Sequence, residues 1–395
     1  MADLLFFNPG CELEVASGLP NYSLQKHPAM LESDLSVLPM FISCPGDYVA
    51  ARTSDKSFVD YWRDIYPCTF TGFGGRQIRS VELGKFRPWG ISPRALHLAG
   101  GLSFSRAYME SPVSTFTPEH RRLFSRETSA DFFRRLRPDG LLSADLITPP
   151  DSMPVIARSL NEAEDFFHQA AARRSGGSVF KAVYGSSGRG VRILRDCRFT
   201  PGIAGWIKSC ISQHGSIACE YLFSKVSDFS MHYDIAGGKA RFVGVSQFST
   251  ADTGAYLGSL VRRLASIPGF SGFSANALSA MHISALNDSV FTRIYEGPLG
   301  IDCMVYSDGG RLMVNPCVEI NCRNSMGRLA MELFQLTDPD CECRYYVYQK
   351  DRPLPGMEQK PVFLNGRLAG GFLPLTPSDT RMFAAGIISS PCPRK

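Results

Sequence analysis

Two acidic residues and an amide in the last quarter of the chain carry the first chemical signal. Asp302 lies in Gly-Ile-Asp-Cys-Met-Val and Glu319 in Cys-Val-Glu-Ile-Asn-Cys, both within apolar, strand-like sequence. Successive side chains of a strand point to opposite faces, so Glu319 and Asn321 project together. The Ser-Asp-Gly-Gly turn at 307–310 joins the two runs as a hairpin and sets Asp302 opposite them. A carboxylate in such surroundings is costly to bury unless it is paired or holds a metal. Three oxygen ligands at one sheet end suit Mg²⁺, which takes one or two carboxylates plus nucleotide phosphates. Asp302, Glu319 and Asn321 are therefore candidate metal ligands, against the blander reading of a solvated sheet face. Arg323 stands two residues beyond Asn321, on the same face if the strand continues, where it can neutralise a transferring phosphoryl group.

A second signal lies upstream, in Val-Phe-Lys-Ala-Val-Tyr-Gly-Ser-Ser-Gly-Arg-Gly-Val-Arg-Ile-Leu at 179–194. A β-branched run ends in Lys181, and a loop of Gly185, Ser186, Ser187, Gly188, Arg189 and Gly190 follows. A second apolar run then begins at Val191, so the stretch predicts a hairpin with a glycine-rich tip. Successive amides of such a tip can wrap a phosphate, with Lys181 and Arg189 as cationic donors beside it. The spacing excludes a Walker loop, since no Gly-Lys-Ser/Thr and no helix signal follows, and a strand after the glycines excludes a Rossmann turn. An ordinary surface hairpin is the competing reading of the loop taken alone.

The chemistry must be held by a chain of 395 residues, long enough for two or three domains. Hydrophobic residues at 44% and charged residues at 20% give an ordinary globular balance. The net charge of +5 is scattered, which argues against nucleic acid or an anionic membrane as partner. No apolar run approaches the ~20 residues needed to cross a bilayer, and the N-terminus reads as a first strand with no basic n-region. The twelve cysteines are irregularly spaced, with only Cys341 and Cys343 close together; reduced, packed thiols in a cytoplasmic protein are expected.

In order, residues 1–124 read as an α/β domain. It has a strand at 4–7 stopped by Asn-Pro-Gly, a strand at 37–43, a helix at 58–65 and a strand at 77–83. Trp89, in Pro-Trp-Gly, is read as a packing residue, with a place lining a substrate pocket as the alternative. Residues 125–345 carry the chemistry: a helix from Ser125, a strand at 154–157, a helix capped by Ser159 and the glycine hairpin come first. A helix at 201–212, a strand at 216–222, antiparallel strands at 229–235 and 239–246, a helix at 283–294 and the acidic hairpin follow. Residues 346–395 form an extension with a hairpin at 362–372 and a frayed tail.

Taken together, Lys181 with its glycine loop, Glu220-Tyr221-Leu222, Gly-Ile-Asp and Glu-Ile-Asn-Cys-Arg resemble the ATP-grasp superfamily. In order and spacing they are similar to the carboxylate–amine ligases typified by D-alanine–D-alanine ligase. The resemblance implies an α/β and α+β protein: two α+β lobes clamping ATP, preceded by an N-terminal α/β domain. Lys181 would contact the α- and β-phosphates, and residues 185–190 would close over the β- and γ-phosphates. Glu220 and the backbone of Leu222, on either side of Tyr221, would read adenine, and Asp228 would take the ribose hydroxyls in competition with Ser227. Asp302, Glu319 and Asn321 would hold two Mg²⁺, with Mn²⁺ as substitute, while Arg323 supports the transition state. The family usually has a lysine just before the helix that opens the ATP-binding half; Arg126 stands there, keeping the charge on a forked donor.

The implied activity is an ADP-forming ligation through an acyl phosphate, joining a small-molecule carboxylate to an amine, with an amino acid or peptide among the substrates. A second copy of the chain is an expected protein partner, as a homodimer. A kinase built on the same fold and a catalytically silent nucleotide-binding module remain alternatives.

Overall fold

The computed structural model describes residues 1–137, 142–173, 177–185, 190–195, 198–251 and 256–390. They divide into two compact units: Met1–Thr117 with Leu257–Arg263 and Arg323–Lys395, and Pro118–Tyr256 with Leu264–Cys322. The expected boundary after residue 345 is thereby corrected. Leu329, Leu333 and Tyr345 enter the same buried core as Phe7, Trp62 and Trp89, so the chain from Arg323 onward belongs with the N-terminal residues.

The first unit is built on a parallel sheet in the order Thr69–Thr71, Tyr48–Ala50, Leu4–Phe6, Phe86–Pro88. Its central strand is buried on both faces, which is why it reads as an unbroken apolar run. Leu5 and Val49 face a core with Leu38, Phe41 and Trp62, while Leu4, Phe6 and Phe86 face another with Ile78, Leu83 and Tyr108. Antiparallel strands Cys343–Gln349, Phe383–Ser389, Arg367–Pro374 and Val362–Leu364 add Tyr345, Ile387, Leu368 and Leu373 to the first of these cores.

The second unit has two α+β lobes. In the smaller, four antiparallel strands run in the order Val155–Ala157, Ile217–Tyr221, Ser178–Ala182, Val191–Leu194. Alternation along the middle strands sends Phe180, Cys219 and Ile217 against helices Leu160–Ala171 and Pro201–His214, where they form a core with Phe166, Phe167 and Ile207. Val179, Lys181, Val191, Ile193 and Glu220 take the opposite face. In the larger lobe, strands Arg311–Asn321, Gly297–Asp308, Ser224–Ala236 and Lys239–Thr250 lie side by side, all antiparallel. Only Leu222 and Phe223 separate the last strand of the small lobe from the first of the large one.

Three local readings change. Residues 37–43 fold as the 3₁₀ helix Leu38–Ile42, because Pro39 fixes a helical φ at its start and removes a ladder donor. Residues 77–83 begin as the helical turn Arg76–Arg79 and leave only Glu82–Leu83 extended. The helix read at 283–294 is two, Ala275–Asn287 and Val290–Ile294, and Ser289 caps the second through the N–H of Phe291. Cys341 is disulfide-bonded, against the expectation of thiols throughout. Among the described residues no helix is long and apolar enough to cross a membrane.

Candidate active site

The face of the small lobe turned away from its helices and the matching face of the large lobe line one cleft of about 610 Å³. On the small lobe, antiparallel pairing sets Lys181 beside Ala218 and Val179 beside Glu220, so Lys181 and Glu220 share a face. The Lys181 ammonium donates to Glu220 Oε2 at 2.7 Å, and both side chains are largely buried. The hairpin beyond Lys181 closes through the Ala182 N–H and the Gly190 carbonyl, 2.8 Å apart. Gly190 sits at φ +73°, where a Cβ would be strained and would also stand 3.1 Å from Ala182 Cβ. Ser186, Ser187, Gly188 and Arg189 lie outside the described residues.

The large lobe supplies the acidic end. Its register pairs Asp302 with Glu319 and Gly300 with Asn321, which puts the three candidate ligands on one face. Asp302 accepts from the Ser230 hydroxyl through Oδ1, and from Asn321 Nδ2 at 3.0 Å through Oδ2. The register shifts just beyond Asp302, where Pro316 cannot donate to the ladder, and the resulting bulge re-aims the strand end that bears Glu319. Ser129, on the helix Arg126–Arg135, accepts the N–H of Ile320 at 3.1 Å and so pins that strand between Glu319 and Asn321.

Arg126 opens the same helix, after the cap Ser125. It is 5% exposed, and its Nη2 lies 3.0 Å from Oε1 and 3.2 Å from Oε2 of Glu319. The guanidinium also donates to the carbonyl of Ala182 and, at 3.3 Å, to that of Gly185. Its Nε is buried without a hydrogen-bond partner among the described residues.

At the connection between the lobes, the Tyr221 ring packs on Phe166 and under the Arg173 guanidinium, on the helix side, so Tyr221 offers the cleft its backbone. The amide of Leu222 donates to the Gly177 carbonyl at 3.0 Å, and Leu222 lines the cleft. Asp228 lines the cleft, accepting from Lys225 at 2.6 Å and Thr250 at 2.9 Å, whereas Ser227 donates to the Pro268 carbonyl. Of the two, Asp228 lines the cleft.

Arg323 is placed in the other unit. Its backbone bridges Gly90 and its Nε donates to Glu12, on the helix Cys11–Ser17. Beside them Asn8 bonds both ways with Gly90, at 2.9 and 3.1 Å, and Glu14 accepts from Ser92 and Arg94. Trp89 is buried against Phe7 with ring centroids 4.9 Å apart, as its packing role requires.

Sequence reasoning missed Ser230 and His232. They follow Asp228 at intervals of two on the strand Ser224–Ala236 and share its face; His232 is buried and bonded to Ser246 at 2.8 Å. Period-two spacing from Asp228 was the available signal. The thiols of Cys303 and Cys317 are pushed well up, first by burial; for Cys317 the charges of Asp302, Glu220 and Glu319 add to it.

A second concavity, about 430 Å³, lies in the first unit between Trp62, Tyr348 and Phe363. Its charged groups are held by local bonds, Lys350 to the carbonyls of Ser378 and Thr380 and Asp55 to Ser57 and Ser378. The converging charges of the lobe cleft have no counterpart there.

No family model matches the chain, and no curated protein matches it. Among solved structures it is similar to N5-carboxyaminoimidazole synthetase from Staphylococcus aureus complexed with ADP, at 10% identity over 98% of this chain and 93% of that one, TM-score 0.47. It is similar also to D-alanyl-alanine synthetase A from Vibrio cholerae, at 11% identity over 84% and 91%, TM-score 0.44. A third likeness is to Rhizobium etli pyruvate carboxylase, at 12% identity over 100% of this chain and 36% of that one, TM-score 0.51. The last of these shows a shared fold. With its paired α+β lobes around one cleft, the chain has the ATP-grasp fold.

Proposed function

We propose that the cleft binds ATP with Mg²⁺ and drives an ADP-forming ligation of a carboxylate to an amine. The observation that carries this is the placement of Lys181 and Glu220 on one lobe and Asp302 and Glu319 on the other, around a cavity of about 610 Å³, with Asn321 bonded to Asp302 on the same strand face. That volume suits a ligand of nucleotide size.

The acidic set fits a hard cation: two carboxylates in direct register with an amide oxygen two residues on, all oxygen donors. Among the described residues no group of three or more His, Cys, Asp or Glu side chains is arranged to hold a metal, so phosphate oxygens would complete the shell. Bound Mg²⁺ would offset the charge that develops on the transferring phosphoryl group. Lys181 and Arg126 supply cationic donors for phosphate oxygens, and the buried Nε of Arg126 has a donor to give. Asp228 accepts from ribose hydroxyls, and the 220–222 connection offers adenine a carboxylate and backbone carbonyls.

In the reaction, a substrate carboxylate oxygen bonds to the γ-phosphorus as the bond to ADP breaks. The amine nitrogen then attacks the acyl carbon, phosphate leaves with the former carboxylate oxygen, and the nitrogen releases a proton. No protein nucleophile is required, because positioning and charge neutralisation supply the catalysis.

The test is ADP and phosphate release across panels of carboxylates and amines, with hydroxylamine added to trap acyl phosphate. Equal ADP and phosphate, dependent on a carboxylate and yielding a hydroxamate, is the expected result. ADP release into a phosphorylated alcohol would instead establish a kinase, and ATP binding without turnover on any panel a silent module.

A further inference from the structure

We infer that Arg126 occupies Glu319 until nucleotide phosphates draw it away, so that the acidic site takes a divalent cation only with nucleotide. The inference rests on the nucleotide reading of the cleft. One guanidinium nitrogen sits between both oxygens of Glu319, at 3.0 and 3.2 Å, and holds the lone pairs a metal ion would use. A cation arriving alone meets a fixed positive charge at contact distance, in a site where Arg126 is 5% exposed and weakly screened.

The arrangement depends on an arginine. Its planar fork reaches the Ala182 and Gly185 carbonyls, at the exit of the lysine strand, and Glu319 at the same time. A lysine ammonium at this position would be a point charge unable to span all three. The fork is nevertheless incomplete, since Nε is buried with no partner among the described residues. A phosphate offers bidentate, charge-assisted acceptors that a carbonyl does not. Swinging onto it satisfies the outstanding donor and releases the carboxylate in one movement. Glu319 thus has a counter-charge in both states: the guanidinium before nucleotide arrives, and the metal ion after.

The experiment is a titration of full-length protein with Mn²⁺ alone, followed by electron paramagnetic resonance, then repeated with saturating ADP. The parent should bind Mn²⁺ weakly alone and much more tightly with ADP. Arg126→Met keeps an apolar stem and removes the charge; without nucleotide it should bind Mn²⁺ at least tenfold more tightly than the parent, about 1.4 kcal/mol. Adding Glu319→Gln to that variant should abolish the gain, which locates the site. If Arg126→Met does not fold, Arg126→Gln, which also removes the charge, replaces it, and a gain of the same sign is required. Equal Mn²⁺ affinity in parent and variant, with ADP still bound, overturns the inference and leaves the nucleotide reading standing. A parent that binds no nucleotide overturns both.

Discussion

At the scale of single residues, the acidic set was legible because strand periodicity does most of the work. Glu319 and Asn321 are two apart, and the Asp-Gly-Gly turn sets the hairpin that brings Asp302 opposite. The ion pair of Arg126 with Glu319 was not legible, since the partners are 193 positions apart and neither sequence neighbourhood signals the other. That pair shapes the first prediction. Glu319→Gln should abolish Mg²⁺-dependent ADP release, and it should also lower the melting temperature, because Arg126 is left buried without its counter-charge. Turnover equal to the parent's would show Glu319 to be a structural carboxylate. A second prediction concerns Gly90, where an added Cβ would collide with the Cys11 sulfur and stand 3.1 Å from Arg323 Cβ. Gly90→Ala should cost about 1–3 kcal/mol of stability in chemical denaturation, in the range of overpacked sites. An unchanged midpoint would mean that the Asn8–Gly90–Arg323 contact is loose.

Among elements, the strands of the two lobes, Ser178–Ala182 and Val191–Leu194 among them, follow the sequence reading closely, because alternation fixes them locally. The misread segments at 37–43 and 77–83 are short, and tertiary packing rather than pattern decides such stretches. The bulge at Pro316 was overlooked although proline in a strand announces one. It has a consequence behind the sheet. The Pro316 carbonyl can only accept, so His282 Nε2 carries the proton at 2.8 Å, and Nδ1 accepts from Tyr233, also at 2.8 Å. Burial pulls the His282 pKa down from 6.5 to about 4 despite that carbonyl. A neutral native histidine opposes protonation that the unfolded chain accepts. Its contribution to stability is therefore complete above pH ~6.5 and is lost as the pH falls toward the native value of about 4. His282→Gln should lower stability at neutral pH and flatten the fall of melting temperature between those limits. Parallel pH profiles for parent and variant would contradict this.

For the whole molecule, the ATP-grasp fold was legible from motif order, but the partition of the chain was not. Residues 323–345 follow the acidic strand directly, and only the buried contacts of Leu329, Leu333 and Tyr345 assign them to the N-terminal unit. Sequence adjacency says nothing about which core an apolar helix joins. The central claim, that the lobe cleft is an ATP site, does not depend on that partition, because Arg126, Lys181, Glu220, Asp228, Asp302, Glu319 and Asn321 all lie in one unit. Calorimetric titration of Mg·ATP into the parent and into Lys181→Met tests it most directly. One site per chain is expected in the parent. Loss of charge-assisted hydrogen bonds of about 1.5–3 kcal/mol should weaken binding about ten- to hundredfold in the variant. A parent that binds no ATP, or a variant that binds it equally well, would contradict the account.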